Sequence, residues 1–317
     1  MKEKQRLIAV LGPTASGKTD LAVKIAKKYN GEIVSADSMQ IYKGMDIATA
    51  KPTEKEKEGI PHHLMDFLDP GQSFSVSDYV KLAAEVTDDI ISRGKLPVLC
   101  GGSGLYVRSF LDNITFSEEE HNEQLRNELN ERYITEGGET LLKELAQFDP
   151  ESAQRLNPSN GKRIIRAIEI YKTTGITMTE QLRLSKAKPS PYDVTAIGLT
   201  FSDRQKLYER INRRVDLMLE KGLLKEAEQF YSEAKGITAS AAIGYKEVKP
   251  YLEGRISLEA AVEKLKMETR RYAKRQLTWF RKDEYIRWIE ADRCNDVFEE
   301  AEKIIADGGK IWTNPQL

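Results

Sequence analysis

The sequence predicts an α/β protein with a parallel sheet, interrupted by an all-helical insertion, and three observations predict it. Short apolar strand-like runs recur at residues 7–11, 32–36, 96–100, 194–201 and 285–289, with helical patterns between them. The first run leads straight into a glycine-rich octapeptide, Gly12-Pro13-Thr14-Ala15-Ser16-Gly17-Lys18-Thr19, that opens a helix. From about residue 111 to 193 the strand signals vanish and the chain turns helical and highly charged.

Taken in order, the run 7–11 and the pattern 20–29, with Leu21, Ile25 and Ala26 at helical spacing, bracket the octapeptide as strand, turn and helix. That context makes it a phosphate loop. Its backbone N–H groups can curl around a phosphate at a helix N-terminus, where the dipole favours negative charge. Lys18 adds a point charge, and Thr19 offers a hydroxyl ligand for Mg²⁺. The core is therefore expected to be P-loop nucleoside-triphosphate-hydrolase-like. It spans 1–111 and 194–317 with C-terminal helices, around an insertion at 112–193. Between the second and third strands, 77–93 carries Val80, Ala83, Ala84, Thr87, Ile90 and Ile91 on one side of a helix. Inside the insertion, helices are expected at 118–136, 140–146 and 161–173, with residues 186–191 as exit linker. Helices at 203–220, 223–233 and 257–281 follow.

Composition is permissive. A chain of 317 residues can bury a large core, and 49 Lys plus Arg against 50 Asp plus Glu say nothing of partners. Distribution says more: residues 264–287 hold nine basic and three acidic side chains, an excess of six. Two cysteines make no disulfide framework, and three histidines cannot complete a zinc finger with them. His62 and His63, being adjacent, point different ways, and Cys100 reads as a buried strand residue. There is no apolar run of about 18 residues and no signal-type leader, so a reduced cytoplasmic location and no membrane contact are expected.

Four further patterns point to chemistry. Asp37 closes the second strand, where open α/β sheets place their sites, and is followed by Ser38, Met39 and Gln40. It suits a water-mediated Mg²⁺ ligand or a proton acceptor, while Ser38 and Gln40 suit the edge of a base. The third strand ends in Gly101-Gly102-Ser103-Gly104, a second wall for the same phosphates. Arg210 and Arg214 stand four apart on one helix face and could clamp a leaving phosphate. Lys274, Arg275 and Gln276 lie in a basic helix, and Lys162, Arg163 and Arg166 in the insertion; beside a phosphate site these clusters point to a nucleic acid.

Together the segments resemble the bacterial tRNA dimethylallyltransferases, also called tRNA isopentenyltransferases. The matching pieces are GPTASGKT at 12–19, SADSMQIYKGMDIATAKP at 35–52, GIPHHLMD at 59–66, FSVSDY at 74–79 and GGSGLY at 101–106. They continue with NPSNGKRIIRAIE at 157–169, RINRRVDLM at 210–218, SAAIGYKE at 240–247 and TRRYAKRQLTWFR at 269–281. Two departures stand out: the family usually has Thr at Ser103 and Asp at Asn160.

The resemblance implies transfer of a dimethylallyl group from its diphosphate to N6 of the adenine immediately 3′ of the anticodon. It implies that the phosphate loop, Lys18, Thr19 with Mg²⁺, Ser103, Arg210 and Arg214 stabilise the departing diphosphate. Asp37 takes the amino proton, Ser38, Met39 and Gln40 hold the flipped base, and the basic helices grip the anticodon stem-loop. No obligate protein partner is implied. The rival expectations are the same chemistry on free adenylate, a small-molecule kinase, and a nucleotide-switched RNA-binding protein.

Overall fold

The computed structural model describes residues 4–116, 122–185, 189–232, 237–240 and 242–308. The chain divides into two compact units, one of Met1–Asp112 with Ser190–Leu317, the other Asn113–Pro189.

The first unit opens with β1 (Gln5–Leu11), α1 (Lys18–Lys28), β2 (Gly31–Ala36), α2 (Glu54–Lys57), β3 (His62–His63), α3 (Val76–Ser92), β4 (Leu96–Gly101) and α4 (Gly104–Leu111). The second holds α5 (Glu123–Glu136), α6 (Gly138–Phe148), α7 (Pro150–Arg155), α8 (Gly161–Thr174) and α9 (Met178–Ser185). The first unit resumes with β5 (Tyr192–Thr200), α10 (Arg204–Glu220), α11 (Leu223–Ser232), α12 (Ile237–Ser240), α13 (Tyr245–Leu252), α14 (Leu258–Phe280), β6 (Arg287–Glu290) and α15 (Val297–Ala306).

All strand pairings are parallel, in the order β3-β2-β4-β1-β5-β6. Both faces are covered, which explains why β1 reads as an unbroken apolar run. Leu7, Ala9 and Leu11 pack with Tyr79, Ala83 and Phe110 of α3 and α4 on one face. Ile8 and Val10 pack with Leu21, Ile25, Ile304 and Ile305 of α1 and α15 on the other. The strand expected at 194–201 begins two residues earlier, because buried Tyr192 already pairs with Gln5.

This order sets the carboxyl ends of β1, β2 and β4 side by side, so the turns at Gly12, Asp37 and Gly102 meet. A third apolar cluster, including Ile41, Tyr42, Met45, Val215, Phe230 and Tyr245, anchors the long segment after β2 against α10, α11 and α13.

The second unit has its own core of Leu129, Leu141, Leu145, Ile164, Ile165 and Ile168. Within it the Tyr133 hydroxyl donates to the Pro158 carbonyl at 2.9 Å, and Phe148 stacks on Tyr171 at 4.0 Å. Residues 118–121 of the expected first insertion helix, 186–188 of the expected linker and residue 233 lie outside the described residues.

Candidate active site

The phosphate loop is shaped by its glycines. Gly12 takes φ 149°, and a Cβ there would meet the Leu199 carbonyl oxygen at 2.8 Å. Gly17 caps α1 in the left-handed region, which Ala15 also adopts at φ 63°. The Ser16 N–H donates to the Pro13 carbonyl at 3.3 Å and closes the turn. Lys18 folds back over it, its Nζ donating to the same carbonyl at 3.4 Å.

Thr14, Lys18 and Thr19 line a cavity of about 330 Å³ that also takes in Asp37, Ser38, Met39, Gln40 and Arg214. Burial holds the Lys18 ammonium below its ordinary pKa, and the nearby Arg214 adds to that. Burial likewise lowers Arg214, against the attraction of Asp37 and Glu56. Among the described residues neither cation has a carboxylate within ion-pair distance. Two desolvated cations facing a cavity leave an unpaid electrostatic cost that a bound polyanion would offset.

Asp37 stands at the end of β2 as expected. Its Oδ1 accepts the N–H groups of Met39 at 2.9 Å and Gln40 at 3.3 Å, so the carboxylate is turned by its own loop and Oδ2 remains for a ligand. The Ser38 N–H donates to Ser103 Oγ at 2.9 Å, and that hydroxyl donates to Ser38 Oγ at 3.2 Å. Ser103 thus acts on Ser38 and, through it, on the base-edge segment. The Gln40 amide nitrogen donates to the carbonyls of Thr49 at 3.1 Å and Ala50 at 3.3 Å, which leaves Oε1 as the group it can offer.

Two sequence expectations are corrected. Arg210 and Arg214 do not converge on one point. Arg214 lines the main cavity, whereas Arg210 hooks the Ala15 carbonyl through Nε at 2.9 Å and lies over the Phe201 ring. It lines a separate cavity of about 190 Å³ with Ser16 and Gly17, on the other flank of the loop. The two stand one helical turn apart, Arg210 meeting the loop at Ala15 and Arg214 reaching the cavity, so spacing alone could not separate their roles. Gln276 lies on the cavity wall and not on the open surface. It is 5% exposed, accepts from the Thr14 N–H at 2.9 Å and donates to the Gly102 carbonyl at 3.0 Å, strutting the phosphate loop against the β4 turn.

The other basic residues are dispersed. Lys274 is exposed; Arg275 is exposed too, but lines the cavity and lies 5.7 Å over the Tyr272 ring. In the second unit Lys162 and Arg163 are exposed on α8, while Arg166 pairs with buried Glu169 at 3.2 Å. Sequence reasoning missed Tyr272, Lys246 and the apolar wall of Val215, Met218, Ile243 and Leu265. Tyr272 sat in a stretch read for its charge, and the wall comes from three separate segments. Burial raises the Tyr272 phenol above its ordinary pKa and keeps it neutral. Cys100, also on the wall, is pushed up to about 11 by burial and is no thiolate nucleophile. His62 and His63 have different partners, the Ile60 carbonyl and the Glu32 carboxylate.

Among the described residues no cluster of three or more His, Cys, Asp or Glu could hold a metal by itself. A Mg²⁺ carried on a diphosphate needs less, because phosphate oxygens and water fill most of its shell. Thr19 and Asp37, both on the cavity wall beside Lys18, fit that requirement.

The family model described as IPP transferase covers residues 40–283. A tRNA dimethylallyltransferase of Acetivibrio thermocellus is 49% identical over 301 residues, 94% of this chain and 95% of that one. Another, from Bacillus subtilis, is 49% identical over 90% of this chain and 91% of its own. The crystal structure of a tRNA isopentenylpyrophosphate transferase from Bacillus halodurans superposes with a TM-score of 0.72 at 44% identity, covering 96% of this chain and 97% of that one. A eukaryotic dimethylallyltransferase acting on tRNA gives 0.81 at 28% identity, over 97% of this chain and 81% of its own. With its cavity, its phosphate loop and these matches along nearly its whole length, the chain belongs to the IPP transferase family.

Proposed function

We propose that this protein transfers a dimethylallyl group from dimethylallyl diphosphate to N6 of the adenine 3′-adjacent to the anticodon of tRNA, releasing diphosphate. The observation that carries the reading is one cavity whose wall combines desolvated Lys18 and Arg214, Asp37 and the apolar side chains of Val215, Met218, Ile243 and Leu265. The cations and the loop's N–H groups hold the diphosphate; Val215, Met218, Ile243 and Leu265 accept the five-carbon chain.

The bond between the donor's C1 and its diphosphate oxygen breaks, and the electron pair leaves with the diphosphate. The adenine N6 lone pair forms the new C–N bond, and an N6 proton passes to Asp37. Lys18 and Arg214 stabilise charge that grows on the leaving oxygens, so they act more strongly on the transition state than on the bound donor. Mg²⁺ held by Thr19, with Asp37 in reach through water, would supply further charge neutralisation. Gln40 and Ser38 orient the flipped base, which leaves its stack to enter. Exposed Lys162, Arg163, Lys274 and Arg275 are assigned to RNA phosphates. No helix of the described residues is long and apolar enough to cross a membrane, and a tRNA substrate implies a cytoplasmic location.

The test is mass spectrometry of nucleosides after incubation with tRNA and dimethylallyl diphosphate. N6-dimethylallyl adenosine next to the anticodon is expected. Prenylated AMP in place of prenylated tRNA, or ADP formed from ATP, would overturn the reading.

A further inference from the structure

Between β2 and α2 the chain crosses the cavity wall without regular structure, and residues 46–51 form one tight turn. The Ala50 N–H donates to the Ile47 carbonyl and the Lys51 N–H to the Asp46 carbonyl, both at 3.0 Å. The leading N–H groups of such a turn have no partner within it. Glu226, on α11, supplies that partner. Its Oε2 accepts from Asp46 at 2.9 Å and Ile47 at 2.7 Å, and its Oε1 from Ala48 at 2.9 Å and the Tyr245 hydroxyl at 2.9 Å. A carboxylate in a nest of three successive N–H groups is a strong, directional anchor.

The far side of the same turn meets the active site. Ala48, Thr49 and Ala50 line the cavity, and the Thr49 and Ala50 carbonyls receive the Gln40 amide nitrogen. Gln40 in turn gives its backbone N–H to Asp37. Glu226 itself is absent from the cavity wall. We infer that Glu226 is a positioning residue for base recognition: by fixing the turn 46–50 it decides which end of the Gln40 side-chain amide faces the acceptor. With the nitrogen committed to the turn, the oxygen is presented, and an acceptor there matches the donor amino group of an adenine. This rests on the reading that the cavity takes an adenine.

The experiment measures steady-state kinetics of wild type, Glu226→Gln, Gln40→Ala and the double variant, varying tRNA and dimethylallyl diphosphate separately. Glu226→Gln puts a donor where N–H groups need an acceptor. It is expected to lower kcat/KM for tRNA about 10- to 100-fold, with KM for the diphosphate donor within about twofold of wild type. The double variant should be no worse than Gln40→Ala alone within about threefold, because both changes remove one device. Kinetics for tRNA like wild type, additive losses in the double variant, or a matching rise in donor KM would each overturn the assignment. If Glu226→Gln does not fold, Glu226→Asp, too short to span the three N–H groups, is read by the same criteria. A wild-type protein that does not prenylate tRNA would refute the proposed function itself. An active wild type with an unaffected variant refutes only the role of Glu226.

Discussion

At the scale of single residues, two side chains carry the sharpest expectations. Asp37 is oriented by two N–H groups on one oxygen, which suits a base that must present the other. Asp37→Ala should lower kcat roughly 10²–10⁴-fold, the usual range for a lost general base, while KM for the donor stays near wild type. Titrating Mg²⁺ against activity checks this, since recovery at high Mg²⁺ would make Asp37 chiefly a Mg²⁺ ligand and not the base. Arg214 is desolvated and its charge is disfavoured until an anion arrives. Arg214→Met should therefore raise donor KM at least about tenfold, the order expected for a charge-assisted phosphate contact. The melting temperature of the free protein should hold or rise, because a strained cation has gone. Calorimetry with and without donor separates the two effects, and a large loss of stability in the free protein would make Arg214 structural.

At the scale of elements, α14 serves two purposes. It sends Gln276 to the phosphate loop and Phe280 into the core, and carries exposed Lys274 and, at the cavity, exposed Arg275. Changing Lys274 and Arg275 to Ala should raise KM for tRNA and flatten its salt dependence, by about 0.7–0.9 in log–log slope for each phosphate no longer neutralised. An unchanged slope would leave these residues as solvated surface. On β2, buried Glu32 accepts from Arg93 at 2.6 and 2.8 Å, Lys95 at 2.6 Å and His63 at 2.7 Å. The Arg93 hydrogen bonds above all hold its carboxyl far below the usual range, with those of Lys95 and His63 adding and burial opposing. A depressed native pKa stabilises fully above the unfolded pKa of about 4.3 and is lost as pH falls below it. Glu32→Gln should cost about 3 kcal/mol at neutral pH, the low end for breaking a buried pair because Arg93 and Lys95 are partly exposed. Urea unfolding at several pH values should show a shallower acid limb in the variant.

At the scale of the whole molecule, the segment Asn113–Pro189 is continuous in sequence and carries its own apolar core, from Leu129 to Ile168. Residues 113–189 expressed alone should be helical by circular dichroism and unfold cooperatively. A non-cooperative, molten profile would mean that its core is completed only in the full chain. The remaining unit is split in sequence, and β5 after the segment pairs directly with β1 before it. Its order must come from contacts distant along the chain.

That division marks what could be read from sequence. Runs of Val, Ile and Leu and the loop GPTASGKT are local signals, so the parallel sheet, the helical segment and the meeting of Lys18, Thr19 and Asp37 at one cavity were legible at once. Short helices such as α4, α7 and α13 carry too few periodic positions to be recognised, and α13 even contains Pro250; α15, with Val297, Phe298, Ala301, Ile304 and Ile305 at helical spacing, was legible and missed. The two-residue β3 exists only because β2 offers it an edge at Ile33 and Val34. Which of two arginines four residues apart faces the cavity, that Gln276 turns inward, and that Glu226 reaches a turn 180 residues earlier in the chain were decided by packing. Sequence determines what a residue can do through its chemistry and period. Only the tertiary structure brings distant segments within the roughly 3 Å at which a hydrogen bond forms.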